Sequence, residues 1–594
     1  MLLLLPILLP LGLFLPGYFA ARLFGLRLWA PSAFVLSLPL LFHCVFWLGV
    51  AGVPIKVWSV APLLIAATGA LKWAQRKFAP PEKVEKKTPW TGEERILLAA
   101  CGVVGLILLV HSARTPLAGE DTRFRWDFLA QLIGQAGNFN FYPPLKPADF
   151  RSYFFVDGIP PLVSFTHWWL YASAGDYLPS LISLRVAAEF FGTLAFTYGA
   201  TSALFSRRAG VLAAAALAAS PLYFRAVFLG QETGLTALAV AAMLYFIVSA
   251  RQPVAAGLAA AVCALSREYG WIALVGGVIA LAWRRESRRQ MVVFAGVAVA
   301  AGAPWYVRNW IVAGNPIYSL RLLGFAVNPV HDAFLQFYKS QLGVQTWTAS
   351  VWVRVFLLLC QLALPQMLVG LPMAVRNFRK HGYLLAIAIL TMGLWILSVG
   401  YTSGGMEISM RVLSPALVVL SIAAAGAMDE WMGRGRWRTV VPIGIGALLF
   451  WNAVLGMFFP FDPLSLRPGQ WMDMAFPEPD APMEFKLREQ LVTTLPRGTR
   501  VLSDSAYLHA AVHDFGIEVV PVWSPEVGFL FSAPAEEAER RLAELNIGRI
   551  VAYPRSENGV YLASASPLYG SLAQRWRVVA QSAGTLYVLA PKER

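Results

Sequence analysis

The feature that most constrains this chain is a long succession of apolar stretches, each near the roughly 20 residues that span a bilayer, separated by short loops rich in arginine and lysine. Of 594 residues 57% are hydrophobic and 14% charged, and the mean hydropathy is +0.57. A chain so poor in polar residues reads as a polytopic α-helical membrane protein, because only helices satisfy their own backbone groups along each crossing. The first stretch, residues 1–16, has no basic segment before it and no small-residue cleavage site after it. It is expected to be a retained helix rather than a signal peptide, with its N-terminus facing outward.

The formal charge is +15. In a soluble protein that excess would raise nucleic acid as a partner. Here it sits in short loops, so no nucleic acid is expected: Arg76, Lys77, Lys83, Lys86, Lys87 and Arg95; Arg207 and Arg208; Arg284, Arg285, Arg288 and Arg289; Arg376, Arg379 and Lys380; Arg434, Arg436 and Arg438. The positive-inside rule makes these loops cytoplasmic. Residues 112 to about 160, 221–232, the Arg267-Glu268 turn, 306 to about 350 and 401–410 then lie outside. The count is roughly 11 to 14 spans, since 211–220, 255–265 and 271–282 are short. The last apolar stretch, 440–457, puts everything after Phe458 on the outer side of the cell (inner) membrane.

That tail changes character. An amphipathic run at 484–495, a strand at 500–503, a polar helix at 534–545, a strand at 549–553 and a closing hairpin of 577–580 with 585–589 predict an extracytoplasmic α/β domain over 483–594. The Pro- and Asp-rich residues 459–482 form its linker, 96–458 the main membrane region, and 1–95 extra N-terminal helices with a basic linker. Cys44, Cys101, Cys263 and Cys360 all lie in apolar segments, which predicts helix packing rather than disulfides or thiolate metal sites. His509 and His513, four apart, are expected on a solvated helix face. No phosphate-binding glycine loop with its lysine, no G-x-G-x-x-G and no H-E-x-x-H occurs, so an ATP-driven pump or a zincin protease is not expected. Charged residues inside spans and matching halves, the marks of a secondary transporter, are not evident.

Acids are sparse, yet Gly119-Glu120-Asp121-Thr122-Arg123-Phe124-Arg125-Trp126-Asp127 places three of them just beyond an apolar stretch ending near Val110. Such a group at a membrane boundary suits a site for a proton, a cation or a sugar hydroxyl. It is followed by aromatic residues including Phe139, Phe141, Tyr142, Phe150, Tyr153, Phe154, Phe155, Trp168 and Trp169, suited to interfacial anchoring or to stacking on sugars.

The acidic pair, this aromatic first outer loop, the second outer loop with its Glu232, and Pro304-Trp305-Tyr306-Val307 followed by Arg308-Asn309 together resemble the GT-C superfamily of lipid-linked-sugar glycosyltransferases. The chain is similar, over about 96–457, to protein O-mannosyltransferases and to bacterial aminoarabinose and lipid-A-modifying transferases. Those families usually carry Asp then Glu, whereas here Glu120 precedes Asp121, which leaves open which is the base.

The resemblance implies transfer of a sugar from a polyprenyl-phosphate donor, with inversion, to an extracytoplasmic glycan, lipid or protein acceptor. Such chemistry needs a carboxylate to take the acceptor's proton and cations to hold the departing phosphate. Asp121 is the expected general base, with Glu120 as base or as the group that orients it. The competing reading is that the pair caps a helix at 122–133. Glu232 is assigned to substrate or metal, or simply to a helix N-terminus. Arg123, Arg225, Arg267, Arg308 and Arg411 are the substrate-binding candidates, since a guanidinium forks onto phosphate oxygens. A local Arg267–Glu268 pair, an Arg123–Asp127 pair and snorkelling to the headgroups are the plainer alternatives. Glu120, Asp121 and Glu232 would form an oxygen-rich divalent-metal site if they converge. A transporter or flippase of lipid-linked glycans, or a non-catalytic anchor for the outer domain, are the rival readings.

Overall fold

The computed structural model describes residues 4–81, 89–119, 121–402, 405–478, 482–486, 488–495, 497–582 and 585–592. Glu120 and the Ser403-Gly404 turn lie outside the described residues. Among those described, eight helices are long and apolar enough to cross a bilayer, and twelve if each of four bent pairs counts as one span. The first pair, Leu5–Leu13 and Leu15–Leu23, bends by 43° where Pro16 enters the second helix, as a proline without an N–H requires.

The short segments resolve into helices Arg207–Ala218, Pro253–Ser266 and Ile272–Trp283. Arg207–Ala218 is followed, at a 68° bend, by Pro221–Phe228. Small residues let these helices sit deep in the bundle: every residue from Ala209 to Ala218 is buried. Glu232–Tyr245 is buried along its whole length, as expected for a helix apolar all round.

Ion pairs tie one end of the bundle. Helix Gly92–Arg114 opens with a capping box of Thr91 and Glu94, and Glu94 also accepts from Arg207 at 2.8 Å. Arg208 pairs with Asp429, near the end of helix Ser414–Met432, at 2.5 Å.

At the other end the chain forms the aromatic segment that precedes helix Leu162–Ala174. The single helix expected over 122–133 is replaced by a π-helix, Thr122–Asp127, running into the α-helix Phe128–Ala136. Asp121 has helical dihedrals and its side chain caps nothing, so the capping role does not apply to it. Gly119 is needed for a close approach: a Cβ there would come within 2.5 Å of both Gln231 Nε2 and Thr122 Oγ1. Thr122 Oγ1 accepts from Gln231 Nε2 at 3.0 Å and donates to the Leu229 carbonyl at 2.7 Å, binding this segment to the start of helix Glu232–Tyr245.

The C-terminal α/β domain is built on a five-stranded sheet: β1 Arg500–Ser503, β2 Glu518–Pro521, β3 Ile547–Ala552, β4 Trp576–Ser582 and β5 Leu586–Pro591. The order is β2-β1-β3-β5-β4, with β1 parallel to β2 and β3, and β5 antiparallel to β3 and β4. Helices Ala506–Val512 and Ala535–Glu544 connect the parallel strands. The domain's core is shared. Val501, Val519, Ile550 and Trp523 pack in one cluster with Phe150, Phe154, Val156, Phe334 and Leu335 from the membrane region's loops.

Candidate functional site

The site is assembled from four parts of the chain at the end of the bundle that meets the α/β domain. The π-helix supplies Arg125, with Asp121 just before it; the loop before helix Leu162–Ala174 supplies Asp157; Glu232 opens its helix beside Arg267 and Glu268; and Arg411 lies on the 3-10 turn Met410–Leu413.

Charges alternate across it. Arg411 Nη2 donates to Asp121 Oδ2 at 2.7 Å, and Arg125 Nη1 stands 4.0 Å from the same oxygen. Arg125 Nε donates to Asp157 Oδ2 at 2.7 Å. Arg267 lies 3.5 Å from Glu232 and 3.3 Å from Glu268, with its guanidinium 5.9 Å from the Trp126 ring. Burial alone would raise the Asp121 carboxyl, but the charges of Arg125, Arg411 and Arg267 outweigh it and hold the group below the usual carboxylate range. Exposure sets the acids apart. The Asp121 side chain is 31% accessible, against 8% for Asp157, 4% for Glu232 and 14% for Glu268. Among the described acids of the cluster, Asp121 is the one most open to a reacting molecule.

The other expected site residues distribute differently. Arg123 turns away from Asp121: its Nε donates to the Leu117 carbonyl at 2.8 Å and its guanidinium lies over Phe485. The expected Arg123–Asp127 pair is replaced, because Asp127 is buried and accepts from Tyr177 at 2.7 Å, from Gln131 at 2.8 Å and from Tyr171. Those three neutral donors make its hydrogen bonds, and Arg123 acts on it through charge alone. Arg308 is committed to backbone, donating to the Tyr142 and Phe139 carbonyls at 2.9 and 3.3 Å while lying over Phe139 and Trp305. Its neighbours Trp305 and Asn309 both donate to the Gly158 carbonyl, at 2.8 and 2.7 Å, so this stretch clamps the loop that carries Asp157. Arg225 lies near Phe459, and burial together with the charge of Arg411 disfavours its protonated form. Glu120 lies outside the described residues. His509 is buried rather than solvated, and both His509 and His513 pack on Phe128, because this helix face meets the membrane region.

Arg125, Asp157 and Glu268 were not among the expected site residues. Arg125 carried a usable signal, being spaced four from Asp121, the same spacing as Arg123 and Asp127. Asp157 carried none, since its partner is 32 positions away.

Of the three expected metal ligands, Glu120 lies outside the described residues. Among the described residues no three His, Cys, Asp or Glu side chains converge, and Asp121 and Glu232 instead face guanidinium groups.

This architecture is the GT-C fold. It is shared with ArnT from Cupriavidus metallidurans in the apo state, at TM-score 0.52 and 15% identity over 84% of this chain and 98% of that one. It is shared also with the Archaeoglobus fulgidus oligosaccharyltransferase in complex with Zn and sulfate, at TM-score 0.51 and 15% identity over 84% of this chain and 73% of that one. No protein-family model and no curated protein sequence matches the chain.

Proposed function

We propose that this chain is an integral membrane glycosyltransferase that passes a sugar from a polyprenyl-phosphate donor to an extracytoplasmic glycan, lipid or protein acceptor. The observation that carries the reading is one accessible carboxylate, Asp121, ringed by the guanidinium groups of Arg125, Arg267 and Arg411. The oligosaccharyltransferase that shares the fold is by its name a sugar-transferring enzyme. The positive-inside rule, applied to the basic loops, supports an extracytoplasmic site and α/β domain.

Each group then has a task. The acceptor hydroxyl oxygen attacks the anomeric carbon from the face opposite the phosphate, inverting it. Asp121 takes the hydroxyl proton. The bond between the anomeric carbon and the phosphate oxygen breaks, and its electron pair goes to the phosphate, whose growing charge the arginines hold. A carboxylate pinned by arginines is a weak base. An entering phosphate competes for Arg411 and Arg125, and so returns basicity to Asp121 when substrate is bound. Glu232 and Glu268 orient Arg267; Asp157 orients Arg125.

The test is transfer from a panel of radiolabelled polyprenyl-phosphate sugars by the purified protein in proteoliposomes. Label in an acceptor supports the reading. Movement of lipid-linked sugar across the bilayer, with no transfer from any donor, contradicts it and favours the flippase.

A further inference from the structure

The segments that follow the parallel strands of the α/β domain all meet the membrane region. Tyr507 follows β1, Trp523 follows β2 and Asn558 follows β3, and each touches the membrane region: Tyr507 on Phe124, Trp523 on Phe154 and Phe155, and Asn558 on Tyr338. In sheets of this winding, that edge is where ligands usually bind. Here it meets the π-helix through Tyr507, the loop that carries Asp157 through Trp523, and helix Pro329–Leu342 through Asn558.

Two of these contacts lead directly to Arg125. Its guanidinium lies 5.1 Å from the Phe124 ring and 4.8 Å from the Phe155 ring, and the two rings are themselves 5.3 Å apart, so the cation rests in the corner they form. Tyr507 meets Phe124 edge-on, with centroids 5.0 Å apart at 90°. Trp523 meets Phe155 at 5.8 Å and 81°. Trp523 is itself fixed: Nε1 donates to the Phe154 carbonyl at 2.8 Å, and its own carbonyl accepts from Asn328 Nδ2 at 2.9 Å. It is 3% exposed.

A guanidinium on a four-bond stem reaches many positions; a corner of two rings leaves few. We propose that Tyr507 and Trp523 are positioning residues, which hold Phe124 and Phe155 from the far side and thereby fix Arg125 against Asp121 and Asp157. The α/β domain is then a working part of the site. As it concerns catalysis, the proposal rests on the transferase reading above; as it concerns geometry, it stands without it.

The experiment reads both. Hydrogen–deuterium exchange over 121–127 in the full-length protein is compared for wild type, Tyr507→Phe, Tyr507→Ala, Trp523→Ala and the double alanine variant, with exchange in β1 and β3 as the measure of a folded sheet. Each alanine variant is expected to exchange about 3- to 10-fold faster over 121–127, the range an aromatic pair supplies, while Tyr507→Phe, which keeps the ring, stays at the wild-type rate. In the transfer assay, kcat is expected to fall in the alanine variants, more than KM for the lipid donor rises, with rescue in Tyr507→Phe. Wild-type exchange over 121–127 in a double alanine variant with an intact sheet would overturn the proposal. Faster exchange in the alanine variants, with no sugar transferred by wild type from any donor of the panel, would uphold the positioning and count against the transferase reading instead.

Discussion

Arg411 and Asp121 stand 290 residues apart in sequence and 2.7 Å apart in space. The ion pair joins the turn that opens helix Ser414–Met432 to the π-helix entry, and at 12% and 31% side-chain exposure neither partner is fully sealed. The pair is therefore open to exchange with an incoming phosphate. Arg411→Ala is expected to lower kcat/KM by about 100-fold, the scale on which a single preorganised donor to developing charge acts. Arg411→Lys keeps the charge without the fork and is expected to recover part of that loss. Steady-state transfer kinetics on the three proteins check this.

Arg308 is expected to behave in the opposite way. Its guanidinium serves two backbone carbonyls, of which Phe139's also accepts from the Tyr142 N–H, so Arg308→Ala should leave transfer per folded molecule near wild type and lower stability by about 1–3 kcal/mol through the Tyr142 carbonyl. Thermal melting in detergent, paired with specific activity, separates the two effects.

Asp504, at the end of β1, is 1% exposed, and one carboxyl oxygen has no partner. Burial, opposed by hydrogen bonds from backbone N–H groups and reinforced by Glu484, pushes it up to about 7. The folded state thus favours the protonated acid. Its contribution to stability is full below the ordinary carboxylate range near pH 4 and is lost as pH rises through about 7. Asp504→Asn is expected to remove this loss, raising the melting temperature at pH 8 and not at pH 4.

His509 acts with the opposite sign. Burial, aided by the neighbouring His513, lowers it to about 3, so the folded domain favours the neutral ring. That stability is present above about pH 6.5 and is lost as pH falls toward 3. His509→Phe is expected to flatten the acid limb of the melting curve between pH 6.5 and 4.

Much of this was legible in the chain. The apolar runs and basic loops marked the bundle, and the alternating hydrophobic residues of 577–589 marked the closing hairpin seen as β4 and β5. Asp121 stood out because acids are rare here. β2 was not legible, being four residues long and ending in proline. Nor was the choice between the two equal spacings of four, Asp121–Arg125 and Arg123–Asp127: only the first is kept as a contact, because Asp127 accepts from Tyr171, Tyr177 and Gln131, two of which lie more than forty residues away. The histidine pair was misjudged because the face it occupies is covered by Phe128, a contact across nearly four hundred residues that local pattern does not encode.

The central claim, that Asp121 takes the acceptor's proton, is tested most directly by single-turnover transfer from a polyprenyl-phosphate sugar that wild type accepts, comparing wild type with Asp121→Asn. The account predicts that Asp121→Asn binds the donor with affinity near or above wild type, since Arg411 and Arg125 lose a competitor, while the transfer step slows by at least about 100-fold. A transfer step at the wild-type rate in folded Asp121→Asn would contradict it.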